Sequence, residues 1–339
     1  MRVLRRWRTA LTAAAIALVV MVGGLYVVRA VSGSSPQGLL LPGIGRDGAL
    51  LAVDLHDGQN TVVALDPDDP RAGPTSSSMH CLRVYTSAGT TICMHVGGVG
   101  QAYVADVIGP SGELVRSVPL PGVPSRARVS PSGRLVAWTS FVTGDSYSVP
   151  GGFSTRTGIF DLRTGELIES IEGLAAEVDG HKVTALDVNY WGVTFADDDR
   201  TFYATLASAN RTWLVQGDLV GKTVRGIHRD VECPSLSPDG TRIAFKKRTS
   251  RLGPWILAVV NLASGTETSL PGTVGVDDQA EWLDNSRLVF GIPASGAGVP
   301  GSTGRATLFT VAADGSGAAT MLLPDAASPT LAGRGRSSS

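Results

Sequence analysis

Lysine, charge and aromatic side chains are all scarce in this sequence of 339 residues. Four of the 29 basic residues are lysine, charged residues make up 17% of the chain, and the formal net charge is −1. A protein that binds nucleic acid needs a strongly basic surface, so this composition argues against a nucleic-acid partner. Arginine in place of lysine, with abundant alanine and glycine, is typical of high-GC bacterial genomes such as those of actinobacteria.

The sequence also lacks the short motifs that mark many catalytic and cofactor sites. It contains no G-x-S-x-G nucleophile elbow, no H-E-x-x-H zinc motif and no phosphate-binding P-loop. We therefore predict no catalytic residue, no cofactor and no metal site, and we expect a binding module rather than an enzyme. A catalytic triad assembled from distant segments would leave no such motif, so an enzyme stays open as the alternative.

The N-terminal residues are predicted to cross a membrane. Residues 1–9 contain four arginines and residues 10–28 contain no charge. A helix over 10–28 would extend roughly 28 Å, close to the ~30 Å hydrocarbon core of a bilayer. Because arginines stay on the cytoplasmic side, we expect a single-pass protein of the cell membrane with a cytoplasmic tail at 1–9 and a signal anchor at 10–30. A linker at 31–44 would then connect the anchor to an extracytoplasmic remainder. The alternative is a signal peptide cleaved near residues 28–30, which would make the protein secreted.

The remainder of the chain is organised around one repeated hairpin, clearest at residues 232–247. Pro238 fixes the backbone angle that a turn needs at its first central position, and Gly240 accepts a positive φ. After the turn, Ile243 and Phe245 point to one face because side chains alternate along a strand. Degenerate copies of this hairpin end their turns at five other positions: Gly48, Gly89, Gly133, Asp199 and Asn285. Together with Gly240, successive turns are separated by 41–45 residues, except for one interval of 66.

A period in the low forties with four short strands per unit is typical of a β-propeller blade. The segment SPDGTRIAF and its copies resemble the repeats of TolB-type six-bladed propellers over most of residues 45–336. We therefore predict an all-β fold: a six-bladed β-propeller at 45–336, preceded by an N-terminal transmembrane helix. The repeat is a packing device, so it specifies the fold and says little about function.

The resemblance to TolB-type propellers implies protein–protein contacts at the cell envelope. We expect a membrane-anchored, extracytoplasmic module that binds or scaffolds another envelope protein or a cell-wall component. The alternative is an exported hydrolase or lyase with its active site at the mouth of the propeller channel. An enzyme would bring carboxylates, or a serine and a histidine, together there from different blades.

The two ends of the propeller region are predicted to complete one blade. The first unit lacks an inner strand before Gly48, and residues 328–336 align slot for slot with residues 233–241 of the repeated hairpin. A closed propeller removes its sheet edges when one chain end supplies the strand that the other end lacks. We therefore predict that residues 328–332 pair beside residues 48–54.

Three insertions interrupt the repeat and are candidate binding loops. Residues 142–156 and 173–188 lie in the interval of 66 residues, and residues 293–304 lie in the sixth unit. Long loops on a rigid scaffold commonly carry binding function. The candidate binding residues in the first two insertions are Asp145, Tyr147, Phe153 and His181.

The sequence contains three cysteines, and an exported domain permits a disulfide. Cys81 and Cys93 flank one predicted hairpin turn and are the natural pair, although their offset register requires a diagonal or bulged geometry. Cys233 would then be a small buried hydrophobe. His80 and His95 lie beside the pair, so a zinc or copper cluster is the alternative, but neighbouring residues 80 and 81 should point to opposite faces of a strand.

Overall fold

The structure is a computed structural model that describes residues 47–56, 58–98, 100–142, 154–250, 253–294 and 305–333. The apolar segment at residues 10–28, and with it the predicted anchor helix, lies outside these ranges. In the part of the chain that is described, no helix is long and apolar enough to span a bilayer.

The described strands form six sheets, and the prediction of a six-bladed β-propeller is confirmed. In every blade the strand nearest the axis contacts the inner strands of the two neighbouring blades, so the sheets form a closed ring. Blade 1 contains β1 (Leu50–Asp54), β2 (Thr61–Leu65) and β3 (Thr75–His80). Blade 2 contains β4 (Arg83–Ser87), β5 (Thr90–Val96), β6 (Tyr103–Ile108) and β7 (Leu114–Leu120). Blade 3 contains β8 (Val123–Val129), β9 (Leu135–Val142), β10 (Ser154–Asp161) and β11 (Leu167–Ile168).

The other three blades follow in chain order. Blade 4 contains β12 (Ala175–Val178), β13 (His181–Lys182), β14 (Asn189–Phe195), β15 (Thr201–Ser208), β16 (Arg211–Asp218) and β17 (Thr223–Arg229). Blades 5 and 6 contain β18 (Glu232–Leu236), β19 (Arg242–Arg248), β20 (Trp255–Asn261) and β21 (Glu267–Ser269), then β22 (Glu281–Trp282), β23 (Arg287–Pro293), β24 (Ala306–Ala312) and β25 (Thr320–Leu323). The last strand is β26 (Ala326–Leu331), and two 3₁₀ turns lie at Pro70–Ala72 and Ile171–Gly173.

The last strand supplies the inner strand of blade 1. β26 runs antiparallel to β1, with Leu331 opposite Leu50 and Ala327 opposite Val53. Beyond the strand, the Gly48 N–H donates to the Ala332 carbonyl at 3.0 Å. One chain end of the described region therefore covers the strand edge that the other end would leave open.

The turn of the repeated hairpin is held by its own side chains and by the next blade. Gly240 has a φ of 69°, and its N–H donates to the Ser237 carbonyl at 2.9 Å. The Asp239 carboxylate accepts from the Thr241 N–H at 3.0 Å and from its hydroxyl at 2.8 Å. Burial alone would raise the pKa of Asp239, but these hydrogen bonds hold that pKa well below its ordinary value. The Asp239 N–H donates to Asn285 Oδ1 at 3.0 Å, which ties this turn to the corresponding turn of blade 6.

Apolar side chains fill the spaces between neighbouring blades. Ile243 and Phe245 of the repeated hairpin are fully buried, as are Trp282 and Phe290 of blade 6. Burying a side chain of this kind stabilises a fold by about 1.5–3 kcal/mol. Because a single hairpin is marginally stable in water, stacking of one blade on the next provides the core that each blade lacks.

Blade 4 departs from the four-strand pattern. β12 lies parallel to the outer strand β17, and β13 pairs antiparallel with β12. The predicted insertion at residues 173–188 is thus partly ordered as two strands that widen the sheet to six. This addition lines a recess at the outer edge of the blade.

Candidate functional site

Seven charged side chains meet around the axis of the ring, and we call this group the channel cluster. They come from strands or strand ends of four blades, so no segment of sequence contains more than three of them. The members are Arg83, Arg126, Arg128, Lys246, Asp277, Asp278 and Glu281.

The most buried pair in the channel cluster joins blades 3 and 6. The Arg128 guanidinium donates to Glu281 Oε2 at 2.5 Å, and the two side chains are 5% and 2% exposed. The guanidinium also lies 4.4 Å from the centre of the Tyr85 ring. The Tyr85 hydroxyl lies 3.2 and 3.1 Å from the two oxygens of Glu281 and donates to this carboxylate. Both charges are therefore compensated where water is excluded.

The two aspartates that precede β22 are paired with cations from other blades. Lys246 Nζ lies 2.9 Å from Asp277 Oδ1, and Arg126 lies 3.8 Å from Asp278 Oδ1. The Ser328 N–H donates to the other oxygen of Asp278 at 2.9 Å. Burial alone would raise the pKa of both aspartates, but the nearby cations lower it, so both carboxylates are ionised near neutral pH.

The carboxylates of the channel cluster are the groups that a catalytic site at the mouth of the channel would use. A general acid needs a carboxyl group whose pKa is raised towards neutrality, whereas the pKa values of Asp277 and Asp278 move the other way. The space that the arginines of the cluster enclose is about 10 Å³, on the order of one water molecule. The channel cluster thus joins neighbouring blades through its ion pairs, and the space that Arg83, Arg126 and Arg128 line is smaller than a typical ligand pocket.

A second candidate site is the recess at the outer edge of blade 4, which we call the blade-4 cleft. Its volume is about 770 Å³, within the 300–1,000 Å³ typical of ligand pockets. At one end Arg200 and Asp218 form a bidentate ion pair with N–O distances of 2.9 and 2.6 Å. The Arg200 guanidinium holds the pKa of Asp218 far below its ordinary value. Along its walls run the added strands β12 and β13.

A row of polar side chains crosses the sheet in the blade-4 cleft. Strand register places Gln216 opposite Arg225, Arg225 opposite Glu177, and Glu177 opposite Lys182. Residues at paired positions share a face of the sheet, so one carboxylate lies between two cations. Lys182 and Arg225 are exposed and have no ion-pair partner within 4.0 Å among the described residues. The row offers both charges and an amide to a polar partner.

The structure places one of the predicted binding residues beside this cleft. His181 is exposed at the start of β13, next to Lys182, and its ring nitrogen lies 2.9 Å from the Asp179 carbonyl. Asp145, Tyr147 and Phe153 lie outside the described residues. Sequence reasoning missed the cationic members of the row, since isolated basic residues in short polar strands carry no distinguishing pattern.

Two of the three cysteines lie where blade 1 meets blade 2. Cys81 and Cys93 form a disulfide with a Cα–Cα distance of 5.4 Å. Cys93 lies in β5 opposite Val84, whereas Cys81 precedes β4, which accounts for the offset between them. The bonded sulfurs are not thiolate ligands, and the described residues contain no group of three or more side chains placed to hold a metal ion. Cys233 is a buried free thiol.

Comparisons with known proteins identify the fold and no closer relationship. No protein-family model matches the chain, and no curated protein matches it. The structure of TolB from Acinetobacter baumannii has a TM-score of 0.57 and 17% identity, over 84% of this chain and 66% of that chain. A chain from the crystal structure of a nidogen/laminin complex has a TM-score of 0.54 and 9% identity, over 85% of this chain and 99% of that chain.

The comparison with TolB spans slightly less than two thirds of that chain. An oligogalacturonate lyase in complex with manganese is also similar, with 13% identity over 79% of this chain and 87% of that chain, but its TM-score of 0.45 is too low to bear on function. At these identities the similarity defines a fold: the chain is a six-bladed β-propeller with TolB-like neighbours.

Proposed function

We propose that this protein is an extracytoplasmic β-propeller that binds a protein partner at the cell envelope and is held at the membrane by residues 10–28. The TolB-like fold and the similarity to a chain from a complex of two proteins support a binding role. A disulfide between Cys81 and Cys93 suits an oxidising compartment outside the cytoplasm.

The observation that carries the proposal is the contrast between the two candidate sites. The carboxylates of the channel cluster are ion-paired within the protein, whereas the blade-4 cleft is larger and carries exposed side chains of both charges that have no ion-pair partner among the described residues. Protein surfaces of opposite charge pattern bind such rows with specificity, because mismatched charges on a wrong partner repel. The cleft arises from an insertion that ring closure does not require, as expected of a feature added for binding.

Site-directed photo-crosslinking in intact cells tests the binding role. A crosslinking amino acid is placed at Lys182 in the cleft, at Tyr147 in the predicted loop, and at Ser264, an exposed turn residue of blade 5, as the matched control. We expect Lys182 or Tyr147 to give a discrete adduct that contains an exported protein, and Ser264 to give none. Identical products from all three positions, or no adduct from either test position, would contradict the proposal.

A reporter fusion tests the placement. Alkaline phosphatase, which becomes active after export, is fused to the C-terminus of the full chain and of a variant that lacks residues 10–28. We expect an active, membrane-bound fusion from the full chain and an inactive one from the variant. An active fusion in the soluble exported fraction would indicate signal cleavage instead of anchoring, and an inactive full-length fusion would contradict export.

A further inference from the structure

The charges of the channel cluster do not balance within the described structure. Four cations face three carboxylates, and three of the cations are close to a carboxylate: Arg128 to Glu281, Arg126 to Asp278 and Lys246 to Asp277. The fourth cation is Arg83, whose guanidinium donates to the backbone carbonyls of Ser125 at 2.8 Å and Leu82 at 3.0 Å. No carboxylate of the described residues lies within 4.0 Å of it.

Arg83 is thus the one cation of the cluster that no carboxylate contacts directly, and Asp278 acts on both Arg83 and Arg126, so one carboxylate serves two guanidinium groups. Burial lowers the pKa of its guanidinium, with the more distant Asp278 opposing, whereas nearby groups raise the pKa of Arg126 and Arg128 above the ordinary value despite burial. A charge removed from water without a partner is costly, so this end of the channel favours an additional negative charge.

Two hydrogen-bond donors of the neighbouring arginines are also left over. The Nε atoms of Arg126 and Arg128 are buried and have no hydrogen-bond partner among the described residues. Buried donors are nearly always satisfied in folded proteins, by protein, water or an ion. Both arginines and Arg83 line one space of about 10 Å³, which is on the order of a single water or halide ion.

We propose that a monovalent anion of halide size binds among Arg83, Arg126 and Arg128 and completes the charge balance of the channel cluster. The ion supplies the acceptor that the leftover Nε–H groups require and the negative charge that Arg83 requires. Asp278 lines the same space, so a divalent anion such as sulfate is disfavoured relative to a monovalent one. This site is separate from the blade-4 cleft and does not depend on the proposed partner.

Salt-specific stability tests the anion site in solution. Thermal unfolding of the full-length purified protein is followed in sodium bromide, sodium gluconate and sodium sulfate at equal ionic strength. We expect a saturable stabilisation in bromide alone, with the unfolding constant falling about tenfold when bromide is ten times its dissociation constant. Arg83→Gln should abolish this response. Arg211→Gln, which removes an exposed arginine from blade 4, should retain it.

Crystals grown in bromide provide the direct measurement and use the unaltered chain. We expect an anomalous difference peak within hydrogen-bond distance of the Nε atoms of Arg126 and Arg128. Density without an anomalous signal at that position would identify a water molecule and overturn the proposal. An equal bromide response from the wild-type protein and Arg83→Gln would overturn it as well. If Arg83→Gln does not fold, the anomalous map decides the question.

Discussion

Replacement of Leu331 by alanine tests whether the last strand, β26, stabilises the closed ring of blades. Leu331 is the final residue of β26, is 9% exposed, and packs in one apolar cluster with Leu50 of blade 1 and Leu283 of blade 6. Replacing it by alanine removes three carbon atoms, which at about 0.8 kcal/mol per buried CH₂ lowers the free energy of unfolding by roughly 2.4 kcal/mol. The residual cavity adds to this loss, so we expect a total of about 3 kcal/mol, within the usual range for buried leucine.

Thermal and urea unfolding, each followed by circular dichroism and tryptophan fluorescence, measure this loss. For a domain of nearly 300 residues, a loss of about 3 kcal/mol corresponds to a decrease in melting temperature of roughly 5 °C. The control is Leu186→Ala, because Leu186 is 89% exposed and its truncation should change the free energy of unfolding by less than about 0.5 kcal/mol.

The two variants separate ring closure from a generic loss of apolar surface. If Leu331→Ala unfolds with the same midpoint as Leu186→Ala, the packing of β26 does not support the ring. A chain that ends at Asp325 should lose far more, because it lacks every backbone hydrogen bond between β26 and β1. We expect this chain to unfold without a single cooperative transition.

Three further predictions concern other contacts. Reduction of the Cys81–Cys93 disulfide, or the double alanine variant, should lower the free energy of unfolding by about 3 kcal/mol, measured by urea unfolding with and without reductant. The hydrogen bond from His95 to Asp106 raises the pKa of His95, so the stability it contributes is full below about pH 6.5 and is lost as pH rises through the folded-state pKa. Urea midpoints between pH 5 and pH 8.5 should show this decline, and His95→Asn should remove it. Arg128→Met should lower the free energy of unfolding by about 3–5 kcal/mol, because it leaves the buried Glu281 carboxylate without its counter-charge. An unchanged urea midpoint would show that the ion pair does not stabilise the fold.

The fold was predictable because its information is local and repeated. The turn at Pro238 to Gly240 needs particular residues at adjacent positions, and the alternation of Ile243 and Phe245 marks the buried face of one strand. Copies of this pattern at intervals that are mostly 41–45 residues specify one supersecondary unit many times, so weak copies reinforce strong ones. The interval of 66 residues located an insertion but could not reveal its pairing, because β12 and β13 are short and have no apolar periodicity.

The channel cluster was not predictable, because its members are distant in sequence and become neighbours through ring closure. Arg128 and Glu281 are 153 residues apart, and neither lies in a charged run. One signal was available: Arg126 and Arg128 are two positions apart in an inner strand, and such residues share a face. Two like charges on one face of a buried strand require partners from elsewhere in the fold. The sequence does not say which residues these are.

Irregularities in the inner strands connect the repeat to the channel. Gly192 in β14, Cys233 in β18 and Ser328 in β26 all have a positive φ, and strand register shifts at each of these sites. Cys233 and Ser328 both precede proline and occupy equivalent slots in the aligned segments, so the two strands share a bulge as well as a sequence pattern.

The bulges turn backbone groups away from their own sheet and towards other blades. At the bulge in β26 the Ser328 N–H donates to Asp278 of blade 6 at 2.9 Å, and its hydroxyl donates to the Val84 carbonyl of blade 2 at 3.0 Å. At the bulge in β18 the Cys233 N–H donates to the Thr205 hydroxyl of blade 4 at 2.9 Å. In a regular strand these backbone N–H groups would pair with a neighbouring strand of the same blade. Because the bulges direct them across blade boundaries, the strand that closes the ring also orients a carboxylate of the channel cluster, and ring closure and channel electrostatics are parts of one interaction network.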